Sequence, residues 1–434
     1  MAKIRKRKST SDDPHRQVVE CHENLVPGTS DEDPVILKGR IEERDRRIAE
    51  LEDMLLRGQQ DRRALHNRIQ ELRGNIRVYV RTRPFLPTDG TVDRHSSINI
   101  LPDGESLTIP GKRTGEVHSF KFDKVFTTLT DQDKVFEEVS EIVQSALDGY
   151  NVCLFAYGQT GSGKTYTMEG IIPRAIKQIL SQVTTMQSQR WKFTMTVSFI
   201  EIYNEELRDL LVEVNSDGSM KPRKKLSIRE NGDGRSIIDG INIVDIDIES
   251  KDNGMARLET VISVAAGTRS VATTKANAQS SRSHSVFMLQ LCGINEESDT
   301  IVQRALNLWD LAGSERLDSS SAAIDAQRLK ETQAINKSLS CLGDVFTSLA
   351  HGSKHVPFRN STLTRLLEDC LSGDGKALML VNLSPTLESR NESLCSLRFA
   401  HLVKQVNLGK ATKHVQYGGK GRSSDLNNSN MSFP

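Results

Sequence analysis

The stretch NVCLFAYGQTGSGKTYTM, residues 151–168, decides how the rest of the chain is interpreted. Its residues 158–165 match the pattern G-x-x-x-x-G-K-[ST], in which glycines let backbone N–H groups close around phosphate oxygens. Lys164 adds a positive charge, and the hydroxyl of Thr165 suits Mg²⁺. The apolar run before the loop predicts a buried parallel strand, and the segment after it predicts a helix whose N-terminus faces the same anion. A phosphate-binding loop is therefore predicted, with a simple glycine turn as the alternative.

Two polar segments further along the chain complement this loop. They read NAQSSRSH at residues 277–284 and DLAGSE at residues 310–315. The second closes an apolar run, and an Asp at the end of a buried strand is where nucleoside triphosphatases place the carboxylate that holds Mg²⁺ through water. The N–H of Gly313 is then available to a γ-phosphate. Each segment alone also fits a polar loop or turn, but together with the phosphate loop they favour a nucleotide site.

Seven segments of the chain resemble, in the same order, those of the kinesin motor domain. They are RVYVRTRP (77–84), FAYGQTGSGKTYTMEG (155–170), NAQSSRSH (277–284), DLAGSER (310–316), INKSLSCLGDVF (335–346), HVPFRNSTLTRLL (355–367) and LRFA (397–400). The resemblance extends over residues 74–410. It implies a layered α/β fold of the P-loop nucleoside triphosphatase type, ATP and Mg²⁺ as cofactors, and microtubules as the partner.

The resemblance also implies roles for individual positions. Around the adenine it implies Arg81, Arg83, Pro84 and Tyr166. Around the phosphates it implies Gly158, Gln159, Thr160, Gly161, Ser162, Gly163, Lys164 and Thr165. For Mg²⁺ it implies Thr165 and Ser281 as direct ligands and Asp310 through water. At the γ-phosphate and the attacking water it implies Ser280, Gly313 and Asn336, and Arg282 and Glu315 are implied to form the salt bridge that closes the two switch loops, 277–284 and 310–315.

The residue chemistry agrees with this assignment. Phosphoryl transfer depends on positioning and charge neutralisation, so the site requires no separate nucleophile. A guanine-reading N-K-x-D motif is not formed, because Asn336-Lys337 is followed by Ser338-Leu339, and this favours adenine. The six cysteines lack C-x-x-C spacing, which argues against metal clusters and disulfides and predicts a reducing compartment, the cytoplasm or nucleus.

Residues 74–410 contain segments with the two-residue hydrophobic period of strands and segments with the 3.6-residue period of helices. Alternation at residues 76–80 predicts a strand, and further strands are predicted at 193–202, 286–294 and 377–383. Helical spacing occurs at 135–146 and 335–349. Mixing of the two predicts a central, mostly parallel sheet flanked by helices. No run of about 18 apolar residues exists, so no membrane insertion is expected.

The flanking segments differ from this region in composition. A heptad pattern over residues 35–73 predicts a short coiled-coil neck that supports a weak homodimer or a heterodimer, with a single helix lying on the motor as the alternative. Gly58 and Arg62 interrupt the heptad seam consecutively. A basic run near the N-terminus fits a solvated tail, a nuclear-import signal or an auxiliary filament contact. The predicted divisions are 1–34 (disordered), 35–73 (neck), 74–410 (motor domain) and 411–434 (disordered tail).

Charge is nearly balanced, with 58 Lys+Arg against 57 Asp+Glu, so an acidic partner must be met by local patches and nucleic acid is not expected. Two positions depart from the family pattern at the predicted filament surface. The segment 318–327 carries acids where lysines are common, and Thr362 stands where the family generally has lysine. The remaining basic candidates are Lys221, Arg223, Lys224, Lys225, Lys354, His355, Arg359 and Arg365.

The sequence therefore predicts a microtubule-stimulated ATPase that moves along microtubules, in spindle organisation or transport. The heptad helix enters the motor-like region directly through ELRGNIRV, residues 71–78, and no second coiled coil follows LRFA. Both features resemble the C-terminal-motor, minus-end-directed branch of kinesins. The alternative is a non-motile microtubule-binding protein whose nucleotide site serves as a static switch.

Overall fold

The computed structural model contains seven α-helices and fifteen strands in the part of the chain that it describes. That part comprises residues 34–72, 74–89, 95–111, 113, 115–187, 190–211, 225–230, 236–271, 279–295, 297–315, 326–373, 375–409 and 411–417. The helices are α1 (Pro34–Leu72), α2 (Gln132–Leu147), α3 (Lys164–Gln187), α4 (Lys251–Val271), α5 (Ala326–Ala350), α6 (Thr362–Leu371) and α7 (Arg390–Lys404). The strands are β1 (Ile76–Thr82), β2 (Asn99–Ile100), β3 (Ser106–Pro110), β4 (Val117–Lys121), β5 (Lys124–Phe126), β6 (Asn151–Tyr157), β7 (Trp191–Tyr203), β8 (Glu206–Asp209), β9 (Ser227–Glu230), β10 (Ser236–Asp239), β11 (Val244–Ile246), β12 (His284–Asn295), β13 (Thr300–Asp310), β14 (Gly375–Leu383) and β15 (Val415–Tyr417).

Eight strands of a ten-stranded central sheet follow the order β11-β7-β12-β13-β6-β14-β1-β5, and the other two, β8 and β15, pair with β7 and β13. Strands β13, β6, β14, β1 and β5 run parallel to their neighbours. On the other side, β11, β7, β12 and β13 form an antiparallel run. Four of the seven pairings along this order are thus parallel, as the sequence predicts, but the long β7–β12–β13 meander was not predicted.

Helices cover both faces of the central sheet. One face packs against α2, α3 and α4, and the other packs against α5, α6 and α7. The middle of β6, residues 152–156, is apolar and buried, and its side chains alternate between the two cores. Leu154 faces the first core and Phe155 the second, and neither has exposed surface. A parallel strand buried on both faces needs apolar side chains at every position.

Two small sheets lie beside the central one. One consists of β2, β3 and β4, and the other is the antiparallel hairpin β9–β10. The C-terminal residues 411–417, which the sequence places in the disordered tail, instead include the buried Ala411 and strand β15, paired with β13. The predicted disorder of 1–33 and 418–434 lies outside the described residues.

The predicted helix at residues 35–73 is present as α1. The chain divides into two compact units at residues 64 and 65, within this helix. In the first unit Ile41, Ile48 and Leu55 are exposed, as an unpaired heptad seam would be. In the second, Asn67 Nδ2 donates to Asp148 Oδ2 at 3.1 Å. The coiled-coil pairing stays a prediction.

Candidate nucleotide site

The predicted phosphate loop follows β6 and ends where α3 begins at Lys164. Gly158, Gly161 and Gly163 adopt positive φ angles of 146°, 76° and 98°. These values lie in the left-handed region that side chains disfavour. At Gly158 a Cβ atom would also collide with the carbonyl oxygen of Asn382 in β14. Glycine is therefore required here both by the backbone angle and by the close approach of a neighbouring strand.

Lys164 lies inside the loop with only 6% of its surface exposed. Its Nζ donates to the carbonyl oxygens of Gly158 at 2.9 Å and Gln159 at 3.0 Å. Burial lowers the pKa of this ammonium, and the carboxylates of Asp310 and Glu315 oppose that shift. A desolvated ammonium held by loop carbonyls is well suited to receive a phosphate anion.

Thr165 and Asp310 form the corner predicted to hold Mg²⁺. Asp310 ends β13 and pairs in register with Ala156 of β6, so the sheet brings its carboxylate to the end of the phosphate loop. Thr165 Oγ1 donates to Asp310 Oδ2 at 2.7 Å. The other carboxylate oxygen, Oδ1, is buried without a hydrogen-bond partner among the described residues.

The oxygen donors of this corner fit Mg²⁺, and the guanidinium of Arg269 lies 3.4 Å from Asp310 Oδ2 beside them. The ion prefers hard oxygen ligands and completes its shell with water and substrate phosphates. Within the described residues no group of three or more His, Cys, Asp or Glu side chains forms an all-protein metal cage. One hydroxyl, one carboxylate and the nearby Ser281, whose carbonyl accepts from Gly313 N at 2.9 Å, therefore suit an ion that is shared with a nucleotide.

The DLAGSE loop, residues 310–315, packs directly on the phosphate loop. Ser314 N donates to Gly158 O at 3.1 Å. Glu315 accepts from the Thr160 N–H at 2.8 Å and from the Thr160 hydroxyl. A Cβ on Gly313 would collide with both Thr160 and Glu315, so this glycine permits the close contact. The predicted residues Gly313 and Glu315 are thus brought to the phosphate loop.

Arg282 is paired with a carboxylate other than the predicted one. Its Nη1 lies 2.8 Å from Glu331 Oε2, whereas Glu315 contacts Thr160. Glu331 is 5% exposed and also accepts from Tyr203 Oη at 2.5 Å. The switch salt bridge implied by the resemblance is therefore not formed in this conformation, and α5 holds the arginine instead.

His284, at the end of NAQSSRSH, is a second buried connection to α5 that the sequence reasoning missed. Its Nδ1 accepts from Ala312 N at 3.1 Å, and its Nε2 lies 2.9 Å from Ser338 Oγ. Ser338 donates onward to Ile335 O at 2.8 Å. Burial, followed by the charges of Lys164 and Arg269, lowers the pKa of His284 to about 3, so the ring is neutral. One neutral imidazole thus joins the 310–315 loop to helix α5.

Of the two residues that were not predicted, Glu331 and His284, only Glu331 carries a signal in the sequence. Ile335 begins the predicted apolar face of α5, and four residues back along that face lies Glu331. A charged residue on a buried helix face needs a partner, so Glu331 could have been selected as a candidate. His284 ends a polar segment and starts β12, a position that the spacing of residues alone does not distinguish from a solvated loop end.

The predicted adenine-side residues gather beside the phosphate loop. Arg81 is buried, donates to Thr167 Oγ1 at 3.0 Å, and lies 5.4 Å from the Tyr166 ring centroid. Arg83 Nε donates to Gly161 O at 2.7 Å, and its Nη1 donates to the carbonyl of Pro84 at 2.9 Å. Tyr166 is 61% exposed and so is available to stack on a base.

Two predicted catalytic positions are not joined to the loop. Asn336 is exposed on α5, and no hydrogen bond connects it to residues 158–165 in the described structure. The side chain of Ser280 lies outside the described residues.

Of the predicted filament residues, Arg359 pairs with Glu230 at 2.7 Å and Arg365 donates to Ile228 O at 3.3 Å. Lys221, Arg223, Lys224 and the segment 316–325 also lie outside the described residues.

Three features define a P-loop nucleoside triphosphatase: a glycine loop at positive φ, a buried lysine, and a contact between Thr165 in the first turn of α3 and Asp310 at the end of β13. Comparison with known families refines this class. The family described as the kinesin motor domain matches residues 81–406, which is most of the chain. The chain therefore belongs to the kinesin family.

Known relatives agree with this membership. Kinesin-like protein KIN-14N of Oryza sativa subsp. japonica is 47% identical over 389 residues, covering 87% of this chain and 49% of the relative. Carboxy-terminal kinesin 2 of Xenopus laevis is 44% identical, covering 81% of this chain and 56% of the relative. Thus the chain spans about half the length of the curated relatives it matches.

Solved structures match the fold as well. The C-terminal motor and motor homology domain of Kar3Vik1, fused to a synthetic heterodimeric coiled coil, aligns with a TM-score of 0.74 and 42% identity over 85% of this chain and 95% of that one. The motor domain of the kinesin-related protein Kar3 of Saccharomyces cerevisiae aligns with a TM-score of 0.64 and 44% identity over 76% of this chain and 99% of that one.

Proposed function

We propose that this chain is a microtubule-stimulated ATPase that converts ATP hydrolysis into movement along microtubules. The observation that carries the proposal is the Thr165–Asp310 contact of 2.7 Å at the base of the phosphate loop, with the 310–315 loop packed on it. Positioning and charge neutralisation account for most of the catalysis of phosphoryl transfer, and this site supplies both.

Each group of residues has a distinct task in the proposed reaction. Backbone N–H groups of residues 158–165 and the Lys164 ammonium hold the phosphates. Thr165, Ser281 and, through water, Asp310 would hold Mg²⁺, which neutralises phosphate charge when bound. On closure of the switch loops, the Gly313 N–H would leave the Ser281 carbonyl, to which it donates at 2.9 Å, and meet the γ-phosphate. Ser280 and Asn336 position the attacking water after the two switch loops close.

Arg282 provides the proposed link between hydrolysis and the filament. It is held by Glu331 of α5 at 2.8 Å, and Glu315 is held by Thr160. Closure of the switch loops requires Arg282 to leave Glu331 and pair with Glu315. Because Glu331 and Ser338 belong to the same helix, this exchange and the His284 contact both act on α5. Helix α5 leads into residues 354–367, where the predicted microtubule contacts lie.

The direction and assembly of the motor are proposed from its branch resemblance. We expect minus-end-directed movement, because α1 precedes the motor domain as in the C-terminal-motor branch. One similar structure is a Kar3Vik1 motor on a heterodimeric coiled coil, which supports pairing with a second chain through residues 35–73.

Among the described residues no helix has the length and apolar content to cross a bilayer. We expect the protein on cytoplasmic or spindle microtubules.

Gliding on polarity-marked microtubules distinguishes a motor from a static, nucleotide-switched binder. With the chain fixed densely to a surface, the proposal expects ATP-dependent gliding with the plus end leading, the signature of a minus-end-directed motor. Gliding with the minus end leading, the signature of a plus-end-directed motor, would refute the branch assignment. Filaments that attach and detach with nucleotide but never glide would support the static switch.

A further inference from the structure

The sheet face covered by α5, α6 and α7 changes from apolar to polar partway along β7, β12 and β13. Nearest the nucleotide end, Ile200, Val286 and Trp309 lie side by side in the buried core. Further along, three successive rows across the same three strands are more polar. These rows are Ser198–Met288–Asn307, Thr196–Gln290–Ala305 and Thr194–Cys292–Gln303.

Two elements wall this polar patch and turn it into a cavity of about 340 Å³. The hairpin β9–β10 forms one side and α6 the other. They are fastened together, because Ser236 N donates to Asp369 Oδ2 at 3.1 Å. Ile238, Ile241 and Leu366 give the walls an apolar surface.

The cavity is separate from the nucleotide site. It includes Asn151, the first residue of β6, whereas the phosphate loop follows the last residue, Tyr157. At about 3.3 Å per residue, the far end of the cavity at Asn151 lies about 20 Å along β6 from the phosphate loop, and the near end reaches Trp309, the residue before Asp310. No residue of 158–165 lines the cavity.

We propose that this cavity binds an uncharged, largely apolar small molecule that carries one or two hydrogen-bonding groups. Its volume falls within the range of about 300–1,000 Å³ that small-molecule pockets occupy. The walls offer apolar side chains, and the floor offers hydroxyl and amide groups that would orient a ligand. A ligand with an apolar body and a few polar atoms matches both the walls and the floor.

Charge does not favour an ionic ligand. The Asp369 carboxylate already accepts from Ser236. The Arg304 guanidinium lies 5.9 Å from the ring of Phe193, a member of the core on the opposite face of the sheet. The third charged side chain of the lining, Asp239, pairs with Arg229 at 3.0 Å. All three charged side chains of the lining therefore have partners within the protein, and a neutral ligand does not compete for them.

Occupancy should also change filament affinity, a consequence that rests on the proposed function. The cavity ligand would touch both β10 and α6. β10 pairs with β9, and β9 contacts two predicted filament residues. Arg359, just before α6, pairs with Glu230 of β9 at 2.7 Å, and Arg365 of α6 donates to Ile228 O of β9 at 3.3 Å. A ligand that shifts the β9–β10 hairpin relative to α6 would change the positions of Arg359 and Arg365. It would do so without itself contacting the phosphate loop.

N-phenyl-1-naphthylamine, a neutral fluorescent molecule with one N–H donor, is the probe for the site. We expect one saturable binding site per chain, lost in Ala305→Trp, which fills the centre of the floor. The control Leu129→Trp adds the same side chain at a position that is 89% exposed and should bind the probe normally. Ala305→Leu fills less of the cavity and replaces the tryptophan variant if circular dichroism shows that the latter is unfolded.

Alkylation by N-ethylmaleimide locates the probe independently. Cys292 lines the cavity, and Cys395 is exposed elsewhere on α7. At about four times its Kd, the probe should slow modification of Cys292 about fivefold, by occupancy alone, and leave Cys395 unchanged. Unprotected Cys292, or full probe binding in a folded Ala305 variant, would overturn the proposed site.

Cosedimentation with microtubules tests the coupling. Saturating probe should change the microtubule Kd of the wild-type chain by about threefold or more and leave that of Ala305→Trp unchanged. An unchanged Kd with the site occupied would overturn the coupling. If the chain without probe does not bind microtubules, the proposed function and the coupling both fail, while the fluorescence and alkylation results still decide the site.

Discussion

Lys164 and Glu315 both face the phosphate loop, but the structure gives them different tasks. Lys164 Nζ is held by loop carbonyls that a phosphate would replace, so Lys164→Ala should weaken ATP binding by about 10–100-fold, the loss of a charged hydrogen bond worth about 1.5–3 kcal/mol. Glu315→Ala should leave binding within about threefold, because the carboxylate acts when the switch loops close. Titration with a fluorescent ATP analogue measures both.

A glutamate elsewhere gives the matched control for that titration. Glu137 is exposed on α2, and Glu137→Ala should bind the analogue like the wild type. Equal losses in Lys164→Ala and Glu315→Ala would contradict the division of tasks between the two side chains.

His284 makes the stability of the motor depend on pH. Its folded pKa of about 3 lies below the usual value of 6.5, so the unfolded chain binds the proton more readily. Stability from the neutral ring is complete above pH 6.5 and is lost as the pH falls toward 3. Between pH 7 and pH 5 the free energy of unfolding should fall by about 2 kcal/mol through this group.

Urea unfolding of wild type and His284→Asn at the two pH values isolates this contribution. His66, whose pKa burial also lowers, remains in both proteins and cancels in the comparison. We expect the variant to be less stable at pH 7, because it disturbs the Ala312 and Ser338 contacts, and to lose less stability on acidification. An identical pH dependence in both proteins would rule out His284 as the titrating group.

At the scale of elements, helix α5 keeps Arg282 away from Glu315 through the salt bridge between Arg282 and Glu331. Replacing Glu331 with Gln keeps an acceptor for the Tyr203 hydroxyl but removes the charge that pairs with Arg282. Release of the arginine toward Glu315 becomes easier, so basal ATP turnover should rise, by up to about tenfold for a change of about 1.4 kcal/mol.

Steady-state turnover without microtubules tests this exchange. Glu297→Gln removes one carboxylate from an exposed pair with Arg190 and should leave turnover unchanged. A lower basal rate in Glu331→Gln would indicate that the Glu331 contact supports the active conformation rather than the resting one.

Thr362, the first residue of α6, stands where the family generally has a lysine that would face the filament. Thr362 Oγ1 donates to Glu205 O at 2.8 Å, and its N–H donates to Glu205 Oε2 at 2.9 Å. Thr362→Lys removes only the first bond and adds a positive charge, so microtubule binding should tighten. The gain should fade as salt rises, because exposed charges are screened over about 8 Å at physiological ionic strength.

Cosedimentation at several salt concentrations tests this charge effect, with Thr362→Met as the control that loses the hydroxyl without adding charge. Tightening in both variants would assign the effect to the lost Glu205 bond instead. No gain in Thr362→Lys, or wild-type binding insensitive to salt, would contradict the electrostatic explanation.

How far the sequence predicts these elements depends on the range of the interactions. The phosphate loop, β6 and α3 were predicted because glycines, lysine and apolar residues lie adjacent in sequence. The antiparallel β7–β12 pairing joins strands more than 80 residues apart and leaves no local pattern. The Arg282–Glu331 contact depends on where α5 packs, which residue spacing does not determine.

At the scale of the whole molecule, the first compact unit contains a helix with a weak seam. Ile41, Ile48 and Leu55 are exposed and available to a partner, but Gly58 and Arg62 interrupt the pattern. Glycine costs about 1 kcal/mol relative to alanine in a helix, and a buried arginine needs a partner. Sedimentation equilibrium should therefore find the chain mostly monomeric at micromolar concentration.

Repair of the seam is the complementary experiment. The double substitution Gly58→Ala with Arg62→Leu should shift the equilibrium toward dimer, since Gly58 has open space around it. Arg47→Leu is the control, because Arg47 is exposed and lies one residue before Ile48 of the seam rather than on the seam itself. A nanomolar dimer of the wild-type chain would contradict the weak-seam prediction.

Steady-state ATP hydrolysis with and without microtubules tests the central claim most directly. We predict slow turnover by the chain alone, stimulation by microtubules of about tenfold or more, and loss of that stimulation in Glu315→Ala. Equal rates with and without microtubules, from a chain that binds both ATP and the filament, would contradict the proposed motor and favour a nucleotide site that acts as a static switch.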